Sequence, residues 1–319
     1  MPATSPSVLI VRLDAIGDAL ALAPLIAALR ERGARVDAVL SPVNAGAFSR
    51  AALQRVFIFG SPSLTQSLAA ERYTHALIAT EDAAGYRLAR AARVPQRIGF
   101  QNGWGKPLKT LWVRHLCTDT VHRRAGLDPR GLHECAVLFE LGRPILGAFA
   151  RPTHDVSVLR PLVIDEEPRA DERVAVQITP KWLRLGASLD GLIELTRRAG
   201  PLGAVRAFGA RHESDFLDAF ERAAAYRVER FADLPEWKAA IAAARVLIAP
   251  DSGALHVAGM TGTPVVGGFA AIPAFGLQTA RWSPWAAPHA IVKLEGAWPA
   301  AAADAAAELL SGRSAPYRG

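Results

Sequence analysis

The sequence predicts an α/β protein made of two doubly wound, Rossmann-like domains that face each other across a cleft. The chain has 319 residues, about twice the length of an ordinary domain. Short runs of apolar, β-branched residues alternate with amphipathic Ala- and Leu-rich segments, which is typical of parallel sheets covered by helices on both faces. A segment rich in proline and charge, residues 144–173, interrupts this alternation, which then begins again. We therefore expect an N-terminal domain over residues 1–160 and a C-terminal domain over residues 161–319, with the last helix in its own domain or packed back on the first.

Each predicted element rests on a local pattern. Continuous apolar runs predict buried strands at residues 8–12, 36–40, 56–59, 76–80, 174–178, 204–208, 246–249 and 264–268. Helical periodicity predicts helices at residues 19–32, 189–198, 213–225, 234–244 and 300–310. Ligands of such sheets bind beyond the carboxyl ends of the strands, so residues that directly follow a strand are the site candidates.

Charge is divided unequally between the halves. Residues 1–150 hold 18 Lys and Arg against 11 Asp and Glu, whereas residues 151–319 hold 19 of each. A basic half indicates an anionic partner, either nucleic acid, a phosphorylated glycolipid or a membrane surface, although solubility alone also explains it. The two cysteines cannot form a disulfide scaffold, which favours a reducing compartment, and we expect no secretory signal.

The turn after the first strand carries the first candidate. Gly17 permits a tight bend and Asp18 opens the following helix. A carboxylate at this strand end is placed to act as a general base. From the local pattern alone, capping of the helix N-terminus is the better explanation of Asp18.

The turn after the strand at 246–249 is the second candidate. Asp251, Ser252 and Gly253 open a helix, and His256 lies in its first turn. Free backbone N–H groups at such a helix start bind anions, which predicts a phosphate site. An ordinary cap with a structural histidine is the alternative.

Two further turns belong to the second half. Thr179, Lys181 and Arg184 follow its first strand and have the chemistry to surround a diphosphate. Glu213 follows the next strand and has the chemistry to accept hydrogen bonds from ribose hydroxyls, although capping of the next helix explains it too.

A basic run extends over residues 87–115 and contains Arg93, Arg97, Lys106 and Lys109. It predicts a binding surface for anionic sugars or lipid headgroups, and scattered surface charge is the alternative. Gly99, Gly103 and Gly105 predict that part of this run is a flexible loop. The sequence has no DxD, HExxH, GxSxG, Walker A or CxxC motif, which disfavours metal-dependent hydrolysis, serine hydrolysis and P-loop phosphoryl transfer.

Taken in order, these segments resemble the ADP-heptose:lipopolysaccharide heptosyltransferases, glycosyltransferase family nine. The resemblance rests on the Arg-x-x-x-x-Gly-Asp turn ending at Asp18, a Lys/Trp segment at Lys181, a Gly-x-x-x-Glu turn ending at Glu213, and Asp-Ser-Gly-x-x-His from Asp251 to His256. It covers nearly the whole chain. Where the family usually has Lys-x-Trp-Pro, this chain has Lys-Trp-Leu-Arg, which leaves open whether Lys181 or Arg184 meets the diphosphate.

The resemblance implies a GT-B fold and an inverting, metal-independent transfer of heptose, or a related sugar, from an ADP-sugar to the lipopolysaccharide inner core. It implies that the protein needs no cofactor and has no nucleic-acid partner. It also implies a cytoplasmic location, either free or peripherally associated with the inner membrane. By the same resemblance Asp18 is the base, Lys181 neutralises the departing diphosphate, Asp251 to Gly253 with His256 bind it, and Glu213 contacts the ribose.

Two other function classes remain open from the sequence. A non-catalytic binder of nucleotide sugars or anionic glycans would keep the Asp251 turn without needing Asp18. A nicotinamide-dependent oxidoreductase suits two α/β domains but requires a GxGxxG fingerprint that the first turn does not have.

Overall fold

The computed structural model describes residues 5–123 and 132–312, and the chain divides into two units, Met1–Leu162 and Val163–Gly319. In the described part of the first unit, six parallel strands form one sheet in the order β3-β2-β1-β4-β5-β6. These strands are β1 (Ser7–Arg12), β2 (Arg35–Leu40), β3 (Arg55–Ile58), β4 (His75–Ile78), β5 (Gln96–Gln101) and β6 (Asp119–His122). The apolar run Val8 to Val11 is fully buried, which suits the central position of β1.

Helices connect these strands and cover the sheet. They are α1 (Ile16–Leu20), α2 (Ala23–Glu31), α3 (Leu64–Ala70), α4 (Ala83–Ala91), α5 (Pro107–Leu116), α6 (Glu134–Phe139), α7 (Arg143–Leu146) and α8 (Val156–Leu159). The predicted single helix over 19–32 is therefore two helices. Pro24 lies in the first turn of α2, where its missing N–H is tolerated.

The second unit repeats the arrangement in its described residues. Its strands pair in the order β12-β11-β10-β7-β8-β9, so the first strand is again central. They are β7 (Asp171–Gln177), β8 (Val205–Ala210), β9 (Glu229–Phe231), β10 (Ala244–Pro250), β11 (Val265–Ala270) and β12 (His289–Leu294). The helices are α9 (Lys181–Arg184), α10 (Leu189–Ala199), α11 (Ser214–Ala224), α12 (Leu234–Ala243), α13 (Gly253–Thr261), α14 (Phe275–Trp282) and α15 (Trp298–Leu310).

The final helix α15 packs within the second unit. Trp298, Ala302 and Ala306 lie in the same buried cluster as strands β7 and β10. Trp182 is fully buried there and stacks on Trp298 with ring centroids 5.2 Å apart.

The predicted fold class, two Rossmann-like α/β domains, is confirmed. The strands that the sequence did not predict are β5, β6, β9 and β12, and the loop predicted around Gly99 was wrong, because this glycine lies inside β5. A Cβ atom at Gly99 would lie 2.7 Å from Tyr86 Cε1, so the glycine makes room for a buried ring.

Over residues 5–123 and 132–312, no helix is long and apolar enough to cross a membrane.

Candidate active-site residues

Each sheet has one point where its strand order reverses, and several of the predicted site residues follow the strands at these points. In the first unit the chain proceeds from β1 to β2 and β3, then returns to place β4 on the other side of β1. In the second unit it does the same at β7 and β10. The crevice beyond the carboxyl ends of such strand pairs is where doubly wound sheets bind ligands. Asp18 follows β1, whereas Lys181 and Asp251 follow β7 and β10.

Asp18 is held from two sides. The Nη2 atom of Arg12, at the end of β1, donates to its Oδ1 atom at 2.8 Å. The backbone N–H of Ala15 donates to Oδ2 at 3.3 Å. The loop between them is fixed by Asn44, whose amide donates to the carbonyls of Arg12 and Asp14. Asp18 therefore does cap the helix start. It also forms an ion pair with Arg12, which is only 2% exposed. The Asp18 side chain itself remains 28% exposed.

The electrostatics of this turn favour a carboxylate that accepts protons readily. Burial raises the pKa of Asp18 above its ordinary value, and the neighbouring carboxylates of Asp14 and Glu134 act in the same direction. The guanidinium of Arg12 opposes them. A carboxylate with a raised pKa is a better general base than one in water.

A chain of ion pairs extends from this turn across the end of the sheet. Arg12 Nη2 lies 4.0 Å from Glu134 Oε1, which accepts a 2.8 Å hydrogen bond from Arg123. Arg123 also pairs with Glu81 at 3.2 Å, and Glu81 pairs with Lys109 at 3.0 Å. Glu134 is fully buried. Burial opposes ionisation of Glu81, but the hydrogen bond from Lys109 and the charge of Arg123 prevail and lower its pKa.

Sequence reasoning missed Glu81, Arg123 and Glu134. Glu81 follows β4, directly beside β1, and that position after a strand was the available signal. Nothing in the local pattern distinguishes Glu134 from a solvated charge at a helix start. We refer below to Arg12, Asp18, Glu81, Lys109, Arg123 and Glu134 as the N-terminal charge network.

The structure separates the four basic residues predicted to bind the acceptor. Lys106 and Lys109 follow the carboxyl end of β5, at the same edge of the sheet as Asp18. Arg93 follows α4 and Arg97 lies near the start of β5, at the opposite edge. Arg97 is also engaged locally, because its guanidinium donates to the carbonyls of Leu116 at 2.8 Å and Val94 at 2.6 Å. The structure therefore does not bring Arg93 and Arg97 together with Asp18.

In the second unit, two separate side-chain hydrogen bonds join three adjacent strand ends. Thr179 donates to Glu213 at 2.8 Å, which joins the ends of β7 and β8. Ser252 donates to the side chain of Gln177 at 2.9 Å, which joins β10 to β7. Ser252 also accepts the N–H of Ala254 at 3.4 Å and so caps α13, which begins with Gly253.

The charged residues of this edge differ in exposure. Burial raises the pKa of Asp251, whereas Lys181 and a hydrogen bond from Gln278 lower it, and burial prevails. Lys181 is half-buried and close enough to act on Asp251, whereas Arg184 is exposed. His256 is 4% exposed, with its ring edge-on to Trp282 at 5.7 Å. The structure therefore groups Thr179, Lys181, Arg184, Glu213, Asp251, Ser252 and Gly253 at one edge, whereas the side chain of His256 is buried in α13.

Metal ligands are not grouped at either edge. Within residues 5–123 and 132–312, no three His, Cys, Asp or Glu side chains are arranged to hold a metal ion. Cationic groups and helix starts are the features of the described edges that attract phosphate.

Two Rossmann-like domains with these sheet orders give the chain a GT-B-like fold. It is similar to the Escherichia coli heptosyltransferase WaaC solved with ADP, with a TM-score of 0.71, 16% identity and coverage of 96% of this chain and 99% of that one. It is also similar to E. coli ADP-heptose lps heptosyltransferase II, with a TM-score of 0.70, 15% identity and coverage of 97% and 100%. A glycosyl transferase family 9 protein from Veillonella parvula gives a TM-score of 0.70, 14% identity and coverage of 92% and 87%.

Sequence comparison adds nothing to this likeness, since no family model matches the chain and no curated protein matches it. At these identities the likeness establishes the fold. The resemblance to heptosyltransferases predicted from the sequence is confirmed at that level.

Proposed function

We propose that this protein is an inverting glycosyltransferase that moves a heptose, or a related sugar, from an ADP-sugar to the inner core of lipopolysaccharide. The observation that carries the proposal is that both points of strand-order reversal hold the groups such a reaction needs. One holds a partly exposed carboxylate with a raised pKa, and the other holds a lysine, hydroxyls and a helix start. In support, WaaC has been solved with ADP and with ADP-2-deoxy-2-fluoro heptose.

In the proposed reaction, Asp18 takes the proton from the attacking hydroxyl of the acceptor. That oxygen forms a bond to the anomeric carbon of the donor as the bond from this carbon to the diphosphate breaks, which inverts the configuration. Arg12 holds the Asp18 carboxylate in place at 2.8 Å. A general base of this kind contributes about 10²–10⁴-fold to the rate.

The departing ADP carries the charge that must be stabilised. We assign this role to Lys181, which is close enough to Asp251 to act on its ionisation, and to the start of α13 at Ser252 and Gly253. Glu213, which accepts from Thr179 at 2.8 Å, is assigned to the ribose hydroxyls. Fixed cations and helix starts stabilise a diphosphate without a metal ion, so we propose metal-independent transfer.

The acceptor is assigned to the first unit. Lys106 and Lys109 lie at the Asp18 edge, and they supply positive charge for a phosphorylated glycolipid. Arg93 and Arg97 are not included, because they lie at the other edge. Such a substrate favours a location at the cytoplasmic face of the inner membrane, and we propose no nucleic-acid partner.

Non-catalytic binding of a nucleotide sugar is the second candidate, because Asp18 accepts the Ala15 N–H and so also serves as a cap. Calorimetric titration with ADP, NAD and an RNA oligonucleotide separates a nucleotide-sugar protein from an oxidoreductase and a nucleic-acid-binding protein, and we expect ADP alone to bind.

The variant Asp18→Asn then separates an enzyme from a non-catalytic binding protein. We expect it to keep ADP affinity and lose about 10²–10⁴ in turnover. Full turnover in that variant would reduce Asp18 to a cap, and tight binding of NAD or RNA would refute the proposal.

A further inference from the structure

Helix α5 turns an apolar face towards solvent. Its residues Thr110, Val113 and Leu116 are buried against the unit. On the opposite side Leu108 is 82% exposed and Leu111 is 64% exposed, which places two large apolar side chains three residues apart on one outer face. The preceding turn adds Trp104, which is 95% exposed. Single exposed apolar residues are ordinary, but three large ones between residues 104 and 111 are not.

The segment around this face is strongly cationic. From residue 83 to residue 118 the chain carries seven Lys and Arg and no Asp or Glu. Of these seven, Arg93 and Arg97 lie at the opposite edge of the sheet and Lys109 pairs with Glu81, so four cations are relevant to this face. Within it, Lys106 and Arg114 are exposed on or beside α5, and Arg87 and Arg90 are exposed on α4. The two helices are neighbours, as the edge-on contact of Tyr86 with Trp112 at 5.5 Å shows. The exposed leucines and tryptophan therefore lie on, or directly before, one of two neighbouring helices that also carry exposed cations.

We propose that this surface, which we call the α4–α5 surface, docks the protein on an anionic phospholipid bilayer. Both the exposed apolar side chains and the cations near them suit the surface of such a bilayer. Tryptophan and leucine insert at the boundary between headgroups and acyl chains, and cations around them pair with anionic headgroups. A second copy of the chain fits poorly, because a symmetric contact through this surface would oppose like charges.

Docking through this surface would bring the N-terminal charge network near the bilayer. The turn with Trp104 and Lys106 follows the carboxyl end of β5, the edge at which Asp18 lies. Lys109 of α5 is itself part of the network through Glu81 at 3.0 Å. A glycolipid held in a membrane would therefore present its headgroup at this edge. Partition onto vesicles does not require turnover, so docking can be measured separately from the proposed reaction.

Flotation with vesicles of phosphatidylglycerol and phosphatidylcholine tests the proposal. We expect the parent protein to float with these vesicles and much less with phosphatidylcholine alone. The triple variant Trp104→Ser, Leu108→Ser, Leu111→Ser should lose at least about tenfold in partition. The control is Phe149→Ser, since Phe149 is 92% exposed elsewhere on the same unit, and it should partition like the parent. Because all four side chains are exposed, we expect each variant to keep the parent Tm.

The charge and the depth of insertion have separate readouts. Arg87→Gln with Arg90→Gln should weaken partition at low salt by about fivefold per cation. Trp104→Phe should still float, but quenching of tryptophan fluorescence by brominated acyl chains should largely disappear.

Three results would overturn the proposal. The first is a parent protein that binds no vesicle, and the second is a triple variant that floats as well as the parent. The third is a parent that sediments as a dimer and a triple variant that sediments as a monomer, since the surface would then join two copies of the chain.

Discussion

Replacement of the buried Glu134 by glutamine tests whether the N-terminal charge network is an energetic unit. Glu134 is fully buried, accepts from Arg123 at 2.8 Å and lies 4.0 Å from Arg12. Removing one partner of a buried ion pair costs about 3–5 kcal/mol when the opposite charge is left without compensation. Here Arg123 keeps Glu81 at 3.2 Å and Arg12 keeps Asp18 at 2.8 Å. Glutamine also keeps the shape and one acceptor oxygen, so we expect a smaller loss of about 2 kcal/mol.

Glu140→Gln is the matched control. Glu140 pairs with Arg143 at 2.8 Å, but its side chain is 44% exposed, so this pair should contribute less than about 1 kcal/mol. Urea denaturation of both variants gives the two free energies from the shift in midpoint at unchanged slope. If Glu134→Gln loses no more than Glu140→Gln, the network stabilises nothing and our reading of its burial is wrong.

The same variant has a second readout in turnover. The carboxylate of Glu134 helps to raise the pKa of Asp18, so its neutralisation should lower that pKa. A general base works when deprotonated, and its rate rises as pH increases through its pKa. The acid limb of kcat should therefore move to lower pH in Glu134→Gln and stay in place in Glu140→Gln. An unmoved limb, or one moved to higher pH, would show that Glu134 does not act on Asp18.

Three further predictions concern the assigned contacts. Calorimetry should give the same ADP affinity with and without EDTA, and a large loss in EDTA would contradict metal-free binding. Lys106→Gln should raise the acceptor KM by about fivefold, as expected for a partly exposed charge-assisted contact, whereas Arg93→Gln should not change it. If Lys106→Gln and Arg93→Gln change the acceptor KM equally, the position of a cation at one or the other edge of the sheet does not determine acceptor binding. Lys181→Ala should lower kcat by about 10²–10³-fold and Arg184→Ala by less than about tenfold, and the reverse ranking would assign the diphosphate to Arg184.

Much of the fold follows from the sequence because buried parallel strands have continuous apolar runs. The run at 8–12 predicts β1 for this reason. The strands that were missed have mixed patterns, such as Asp-Thr-Val-His in β6 and His-Ala-Ile-Val-Lys-Leu in β12. Edge and near-edge strands are partly solvated, so their residues do not need to be uniformly apolar.

The candidate site was predictable where it depends on position after a strand. Asp18 and Asp251 follow strands that the sequence predicts, and the structure places both at points of strand-order reversal. Arg93 shows the limit of a charge count, because the sum of charges over a segment does not say at which edge of a sheet each residue lies. Glu134 shows another limit, since its contact with Arg12 joins residues far apart in sequence.

Mass spectrometry of the product tests the central claim most directly. The protein is incubated with ADP-heptose and a lipopolysaccharide inner-core acceptor that lacks heptose, and the acceptor mass is measured before and after. We predict that the acceptor gains the mass of one heptose and ADP is released, and that Asp18→Asn forms little of this product in the same time. An unchanged acceptor mass across inner-core acceptors and related ADP-sugars, from protein that binds ADP, would contradict the account and leave a nucleotide-sugar binding protein in its place.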